Sequence, residues 1–435
     1  MLSRKRQSCV TEDALGHARW YAWWLARSRW ERLAIAAWGT ILLFVSVRVF
    51  ISPEKKTVYP MLSASANLWW HADELYEPFR RPDVQPGYRY SPTCAILMTP
   101  FGWLPDSLGG VLWRLLSVAA MLGALRWFER SVLPQAASAE LFAWLSLATI
   151  PLALHSINNG QANILVIAYM LASVAAVADR RWTLASVLIA AAFICKLYPL
   201  ALGMVLILLY PRQLLGRAAV ALAASLLLPF LCQHPDYVLG QYAKWIALLG
   251  AEDRTSIPLR EMYRDLWLLI HLYDLPVSRT AYHVLQVLAG AAVAGLCWHR
   301  RQLGWSTRAL LTSSSALAIA WMMLLGPATE SCSFVLLAPS LAWSIVDAAH
   351  ARWRPRNALL WSSCVLFVLS VILGGFSETV WIHGYGIHAW ATLFYVGYLL
   401  GEPRSEPVRT TENSVDWQAR LMAGIAVPAA VSSEK

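Results

Sequence analysis

Twelve apolar stretches of about 13 to 21 residues, each bounded by charged or turn-forming residues, decide what this chain can fold in. They fall near 33–51, 107–127, 138–156, 162–179, 183–195, 197–210, 218–233, 281–298, 308–326, 334–347, 357–375 and 386–401. A helix rises about 1.5 Å per residue, so about 20 such residues cross the roughly 30 Å hydrocarbon core of a bilayer. Little chain is left for a separate soluble core. Of 435 residues, 58% are hydrophobic and only 14% charged, against about 25% charged in a soluble domain. The pattern predicts an all-α, polytopic integral membrane protein with about 12 transmembrane helices. It excludes an ordinary soluble enzyme, a disulfide-rich secreted domain and a disordered chain. The seven cysteines are scattered, mostly within apolar runs, with no spacing that suggests zinc or a redox pair.

A formal net charge of +10 would suit nucleic acid if the basic residues formed one patch. They form short clusters between apolar runs instead: Arg4-Lys5-Arg6, Arg126 with Arg130, Arg180-Arg181, Arg212 with Arg217, Arg300-Arg301, and Arg352, Arg354 and Arg356. Strict alternation of the runs puts every one of these clusters on one side, the positive-inside signature. The expectation is a multi-pass protein of the cell membrane with both termini cytoplasmic, membrane lipids as neighbours and no nucleic-acid partner. Residues 1–32, where Trp20, Trp23, Trp24 and Trp30 interleave with arginines, read as a cytoplasmic amphipathic segment without a removable signal. Residues 33–401 are the membrane domain, and the polar 402–435 a flexible cytoplasmic tail. The stretch 183–210 reads as two helices broken at Lys196-Leu197-Tyr198-Pro199, because one helix would put Arg181 and Arg212 on opposite faces.

This topology leaves two long connections on the extracytoplasmic face, about 52–106 and 234–280, both rich in aromatics. Aromatic residues anchor helix ends, but segments this long and mixed read as functional loops. The first carries Trp69, Trp70, Asp73, Glu74, Asp83, Arg89 and Tyr90. Aromatic plates, an arginine and carboxylates suit a phosphate-linked sugar, since rings cover sugar faces, Arg binds phosphate bidentately and a carboxylate accepts a hydroxyl proton. Each acid could equally be a solvated loop residue. Asn158 and Asn159 could cap the helix that follows them, whereas Gln161 and Asn163 already lie inside its apolar run. Lys196 would cost about 2.5–3.5 kcal/mol at mid-membrane, so it either snorkels or faces a polar cavity; with Pro199 breaking the helix one turn later, it is expected near the extracytoplasmic surface, where a phosphate-bearing lipid headgroup could pair with it. Arg48 and Arg114 also lie in apolar runs; turned inward, they would partner Asp106 or a loop carboxylate. Glu330, in the turn Gly326–Ser333 between two spans, is either solvated or strengthened as a base by partial desolvation. On chemistry alone Glu330 and Asp73 rank first as the base, Glu74 next, and Asp83, beside arginine, last. No metal site or phosphate loop is visible.

At these residues the chain resembles glycosyltransferase family 87, membrane mannosyltransferases of GT-C architecture that use polyprenyl-phosphate sugars. The matching pieces are Tyr90-Ser91-Pro92 with Pro100 and Pro105, Asn159-Gly160-Gln161-Ala162-Asn163, Lys196-Leu197-Tyr198-Pro199, and the Pro327 turn leading to Leu336-Leu337-Ala338-Pro339. They run in family order from about residue 55 to 400. The resemblance implies a GT-C-like domain with a long first extracytoplasmic loop. It implies inverting transfer of a hexose, mannose in the family, from a polyprenyl-phosphate donor to a glycan or glycolipid acceptor, with neither cofactor nor metal. Lys196 and Arg89 would hold the donor phosphate, and Trp69, Trp70, Tyr90, Asn159, Gln161, Asn163 and Tyr198 would contact substrate. Two positions depart. Family members carry an acid where this chain has Thr57-Val58-Tyr59-Pro60, and tend to have a histidine where it has Cys332. Either nearby acids (Asp73, Glu74, Asp83, Glu330) take over, or the branch has an altered donor or no activity. A flippase of lipid-linked substrates and a non-catalytic assembly partner are the alternatives.

Overall fold

The computed structural model describes residues 23–76, 87–133, 138–251, 259–326, 329–350, 354–374 and 384–401. Asp83, most of the 1–32 segment and the 402–435 tail lie outside them. Every regular element among the described residues is helical. Eight helical segments are long and apolar enough to cross a membrane: α1 (Arg29–Ile51), α5 (Asp106–Ser131), α6 (Ala139–Asn159), α10 (Pro211–Leu227) with the 3₁₀ turn that extends it to Leu231, α13 (Arg279–Gln302), α14 (Thr307–Leu325), Ser331–Ala349, which holds a 3₁₀ segment and most of α15 (Ala338–His350), and α16 (Arg356–Gly374). Four shorter apolar helices complete the twelve runs: α7 (Asn163–Ala178), α8 (Trp182–Cys195), α9 (Leu200–Leu209) and α17 (Ile387–Leu400). Outside these lie α2 (Tyr59–Trp70), α3 (Pro92–Leu97), α4 (Thr99–Gly102), α11 (Pro235–Ala251) and α12 (Leu266–Leu272).

Local chemistry sets the boundaries. Ser28 and Glu31 close a capping box at the start of α1, satisfying two backbone donors a helix end would otherwise orphan. The break between α8 and α9 falls where the sequence places it. Lys196 is extended at φ −155° and ψ 142°, and Pro199 opens the next helix. Large apolar side chains on α1, α10 and α13, such as Phe44, Leu231 and Val287, point outward. An outer surface of this kind is stable against lipid tails and costly against water.

The basic turns meet at one end of the bundle. There the Arg308 guanidinium donates to the carbonyls of Leu133 at 3.3 Å and Arg130 at 3.5 Å, Arg301 bonds the Leu209 carbonyl, and the Trp127 indole N–H donates to Asp179 at 2.7 Å. The two long connections pack on each other at the opposite end. The Tyr237 hydroxyl donates to the Asp73 carbonyl at 2.7 Å, the Gln233 amide to the Trp69 carbonyl at 2.8 Å, and the Trp245 indole to the Arg89 carbonyl at 3.0 Å.

Helix length then positions the site. The 16, 14, 10 and 14 residues of α7, α8, α9 and α17 rise about 24, 21, 15 and 21 Å, short of the roughly 30 Å core. Each has one end at the basic turns. Their other ends, at Asn163, Cys195, Leu200 and Ile387, lie away from those turns, and a cavity lined by Gln161, Glu330 and His388 opens on that side. Gly160, at φ +70° between α6 and α7, makes the sharp turn at its edge. An added Cβ there would lie 2.6 Å from Arg114 Nη2, whereas one on Gly123 meets nothing within 4 Å. Gly160→Ala should lower the Tm of the purified protein by the equivalent of about 1–2 kcal/mol, while Gly123→Ala should leave it unchanged or raise it; equal Tm values would contradict the close approach.

Candidate active site

Gln161 and Asn163 lie just past that turn, 6% and 0% exposed. The residue that opens α7 is Ala162, which offers no side-chain cap, so neither asparagine before it serves as one. A buried amide left unpaired costs about 1–3 kcal/mol, and here the amides form a chain. The Tyr198 hydroxyl donates to Asn163 Oδ1 at 3.3 Å, Asn163 Nδ2 to Gln161 Oε1 at 2.7 Å, and Gln161 Nε2 to Glu330 Oε2 at 3.0 Å. The last bond joins the α6–α7 turn to the turn after α14, across 169 residues of sequence. Glu330 also caps the 3₁₀ segment Ser331–Leu337, its carboxylate accepting the Ser333 N–H while its own N–H donates to Ser333 Oγ at 3.3 Å. Cys332 Sγ donates to the same carboxylate at 3.5 Å. These bonds fix the orientation of a carboxylate that remains partly accessible.

Lys196 enters the cluster from the α8–α9 break. Its ammonium lies 5.6 Å from the centre of the Tyr198 ring and within electrostatic reach of Tyr90, Glu330 and Cys332. It too is partly accessible. Glu330 at the same time lines a cavity of about 880 Å³. Its polar rim is Thr57, His155, Asn158, Asn159 and Gln161, with His388 from α17; its apolar walls come from Phe44 and Val45 of α1, Leu152 of α6 and Val371 of α16.

Thr57 and Cys332, where the resemblance leads one to expect an acid and a histidine, thus flank one carboxylate. Thr57 Oγ1 donates to the Asn159 carbonyl at 2.9 Å and accepts from Arg114 at 2.8 Å. Arg114 also donates to the carbonyls of Ile157, Gly110 and Asn158, and Arg48 to that of Asn158 at 2.7 Å. The expected pairing of Arg48 or Arg114 with Asp106 does not form; Asp106 accepts from Ser63 at 2.7 Å. Backbone carbonyls at the end of α6 are already partly negative and accept the guanidinium N–H hydrogen bonds instead.

The other sequence candidates lie apart from this cluster. Glu74 forms an ion pair with Lys244 at 2.5 Å, and Asp73 is exposed. Trp69 is wholly buried against Tyr237, so neither of its faces is open to a sugar; Trp70 is exposed and donates to Thr99 at 2.8 Å. Arg89 donates to the Tyr263 hydroxyl at 3.0 Å. The next residue, Arg264, is tied through its N–H to the Thr329 carbonyl at 2.7 Å, so the segment before α12 links Arg89 to the Glu330 turn. Among the described residues no group of three His, Cys, Asp or Glu side chains could hold a metal.

The family model for glycosyltransferase family 87 matches residues 88–327, more than half of the chain. The chain belongs to glycosyltransferase family 87. It is therefore a membrane glycosyltransferase by family, and the matched stretch takes in Tyr90, Gln161, Asn163, Lys196 and Tyr198 and ends just before Glu330. It is similar to the polyprenol-phosphate-mannose-dependent alpha-(1-2)-phosphatidylinositol pentamannoside mannosyltransferase of Mycobacterium tuberculosis, 27% identical over 370 residues that cover 81% of this chain and 78% of that one. The enzyme of the same description from Mycolicibacterium smegmatis is 26% identical over 329 residues, covering 72% and 75%. Among solved structures, ArnT from Cupriavidus metallidurans bound to undecaprenyl phosphate aligns over 84% of this chain and 78% of its own at 15% identity and a TM-score of 0.34.

Sequence reasoning missed Arg264 and Asp265, whose only local signal is an Arg-Asp pair inside an aromatic-rich connection. Asp265 opens α12, accepting the Leu268 N–H at 3.4 Å. Burial pushes its carboxyl up to about 7, against backbone N–H bonds and Arg279, which pull it down. A folded-state value above the unfolded one means that this group's contribution is fully present below about pH 4 and is lost as pH rises to about 7. Exchange protection of the α12 amides, corrected for intrinsic rates, should fall over that window and level off above it; Asp265→Asn should flatten the slope, and an unchanged slope would contradict the assignment.

Proposed function

We propose that the chain transfers a hexose, mannose by analogy with its relatives, from a polyprenyl-phosphate sugar to a lipid-linked or envelope glycan acceptor on the extracytoplasmic face of the cell membrane. The basic turns and both termini lie on the cytoplasmic side in this reading. The observation that carries it is the hydrogen-bond chain Tyr198–Asn163–Gln161–Glu330, which orients a carboxylate within electrostatic reach of the Lys196 ammonium. Glu330 takes the proton of the acceptor hydroxyl, that oxygen attacks the anomeric carbon from the face opposite the phosphate, and the bond to the phosphate oxygen breaks. The polyprenyl phosphate leaves with its charge held by Lys196. Inversion follows from a single displacement. Asp73, which is exposed, and Glu74, which is engaged with Lys244, have no role in this reading.

The cavity gives the acceptor its place. Glu330 stands in the cavity wall, and Lys56 is the one cation among its described lining residues, at the rim with Thr57. An acceptor carried on a lipid can lie between α1, α6 and α16 with its sugar at Glu330, while the donor phosphate approaches from the Lys196 side.

Steady-state kinetics with a polyprenyl-phosphate mannose and a lipid-linked mannoside test the roles. Glu330→Gln keeps size and the Gln161 contact but removes the base; kcat should fall at least about a hundredfold, the scale of general-base catalysis, with donor binding kept. Lys196→Met should weaken donor binding by about tenfold or more, as expected for loss of a charge-assisted hydrogen bond, and Lys196→Arg should restore part of it. Full transfer by Glu330→Gln, or normal donor affinity in a stably folded Lys196→Met protein, would contradict the proposal.

A further inference from the structure

A second cavity, of about 660 Å³, opens at the basic end of the bundle, far along the helices from Glu330. Arg130, Arg180, Arg301 and Arg308 converge on it from α5, the α7–α8 turn, α13 and α14, with Trp182 and Tyr210 in tilted contact at 5.5 Å as an aromatic wall. One carboxylate, Asp179, shares the lining, and it accepts the Trp127 indole N–H at 2.7 Å. Arg301 and Arg308 are steadied by neutral carbonyls of Leu209, Leu133 and Arg130. Four arginines therefore face one carboxylate in the lining, and Glu129, which also acts on Arg130, is engaged by Arg126, so the cavity keeps an excess of positive charge that attracts an anion. Two further features point the same way. Arg180 occupies left-handed backbone at φ +58°, a conformation that costs an L-residue stability. Thr307 and Arg308 form the first turn of α14, whose dipole is positive at that end.

The depth of the cavity selects among anions. Ser131, Ala178, Trp182, Tyr210, Arg301 and Thr307 all sit at or within a residue or two of helix ends, the level of the headgroups, where Trp and Tyr gather. Basic pockets between membrane helices at this level suit phosphate headgroups. We propose that this cavity binds the phosphate of an anionic phospholipid from the leaflet at the basic end, tying α5, α7, α13 and α14 together. The site is independent of the transfer reaction and needs no part of it.

Phosphatidylglycerol retention by the full-length protein, measured by native mass spectrometry after release from nanodiscs of equal phosphatidylglycerol and phosphatidylcholine, tests it. The side chains of Arg130 and Arg180 make no hydrogen bond that the described residues show, so Arg130→Gln with Arg180→Gln should fold normally. Phosphatidylglycerol should be retained in preference to phosphatidylcholine, and this pair should weaken retention by about thirtyfold, the effect of two surface charges. The charge-matched pair Arg212→Gln with Arg354→Gln, on the same face but outside the cavity, should keep it. Equal loss in both pairs, or no preference for phosphatidylglycerol, would overturn the proposal. A second arm titrates inorganic phosphate against the protein in pure phosphatidylcholine nanodiscs. No saturable rise in Tm is expected there; a rise that the Arg130/Arg180 pair abolishes would reassign the cavity to a soluble phosphate and overturn the lipid.

Discussion

Polar groups below a membrane surface must find partners within the protein, and this constraint shapes the centre of the fold. Helices α7, α8 and α9 are short, and the connections at their ends away from the basic turns carry polar side chains into the bundle. Tyr198, Asn163, Gln161 and Glu330 meet the constraint by bonding in series. The series joins the α6–α7, α8–α9 and α14–α15 connections, which are remote in sequence. Removing any one member strands its neighbours, so packing and chemistry depend on the same bonds. Lys196 lies against the Tyr198 ring and within electrostatic reach of Tyr90 and Glu330.

The same accounting explains how the chain does without the acid expected near Thr57. Arg114 is buried, and a buried guanidinium without partners would be costly. It is satisfied by Thr57 and by the carbonyls of Gly110, Ile157 and Asn158. Gly160 permits that approach, since a side chain there would strike the guanidinium. The arginine thus holds the end of α6 and the 52–58 connection together without a carboxylate. Glu330 is left as the acid in contact with the amide chain, and we assign the proton transfer to it for that reason.

Much of the fold was legible because its signal is local. Apolar runs and basic breaks mark all twelve apolar helical segments, eight of them long enough to cross a membrane, and Lys196-Leu197-Tyr198-Pro199 marks the α8–α9 break from four consecutive residues. Gln161, Asn163, Tyr198, Lys196 and Glu330 were legible as polar exceptions in apolar surroundings, and the structure brings these five together. The first long connection was not legible. Whether Trp69 is an open plate or a core residue depends on Tyr237, and whether Glu74 is a candidate base depends on Lys244. Both partners are more than 160 residues away, and nothing in the local pattern announces them. Arg48 and Arg114 failed for a related reason: a charged side chain in an apolar run suggests an opposite charge, whereas helix-end carbonyls supply the partner here.

If Lys196 and Glu330 act as proposed, the donor phosphate rests on Lys196. A cryo-EM structure of the full-length protein with bound polyprenyl phosphate tests it most directly. Phosphate density is expected within about 3 Å of the Lys196 amine, with the Gln161–Glu330 bond preserved. A phosphate held instead at the cavity rim by Lys56, with Lys196 still packed against Tyr198, would contradict it.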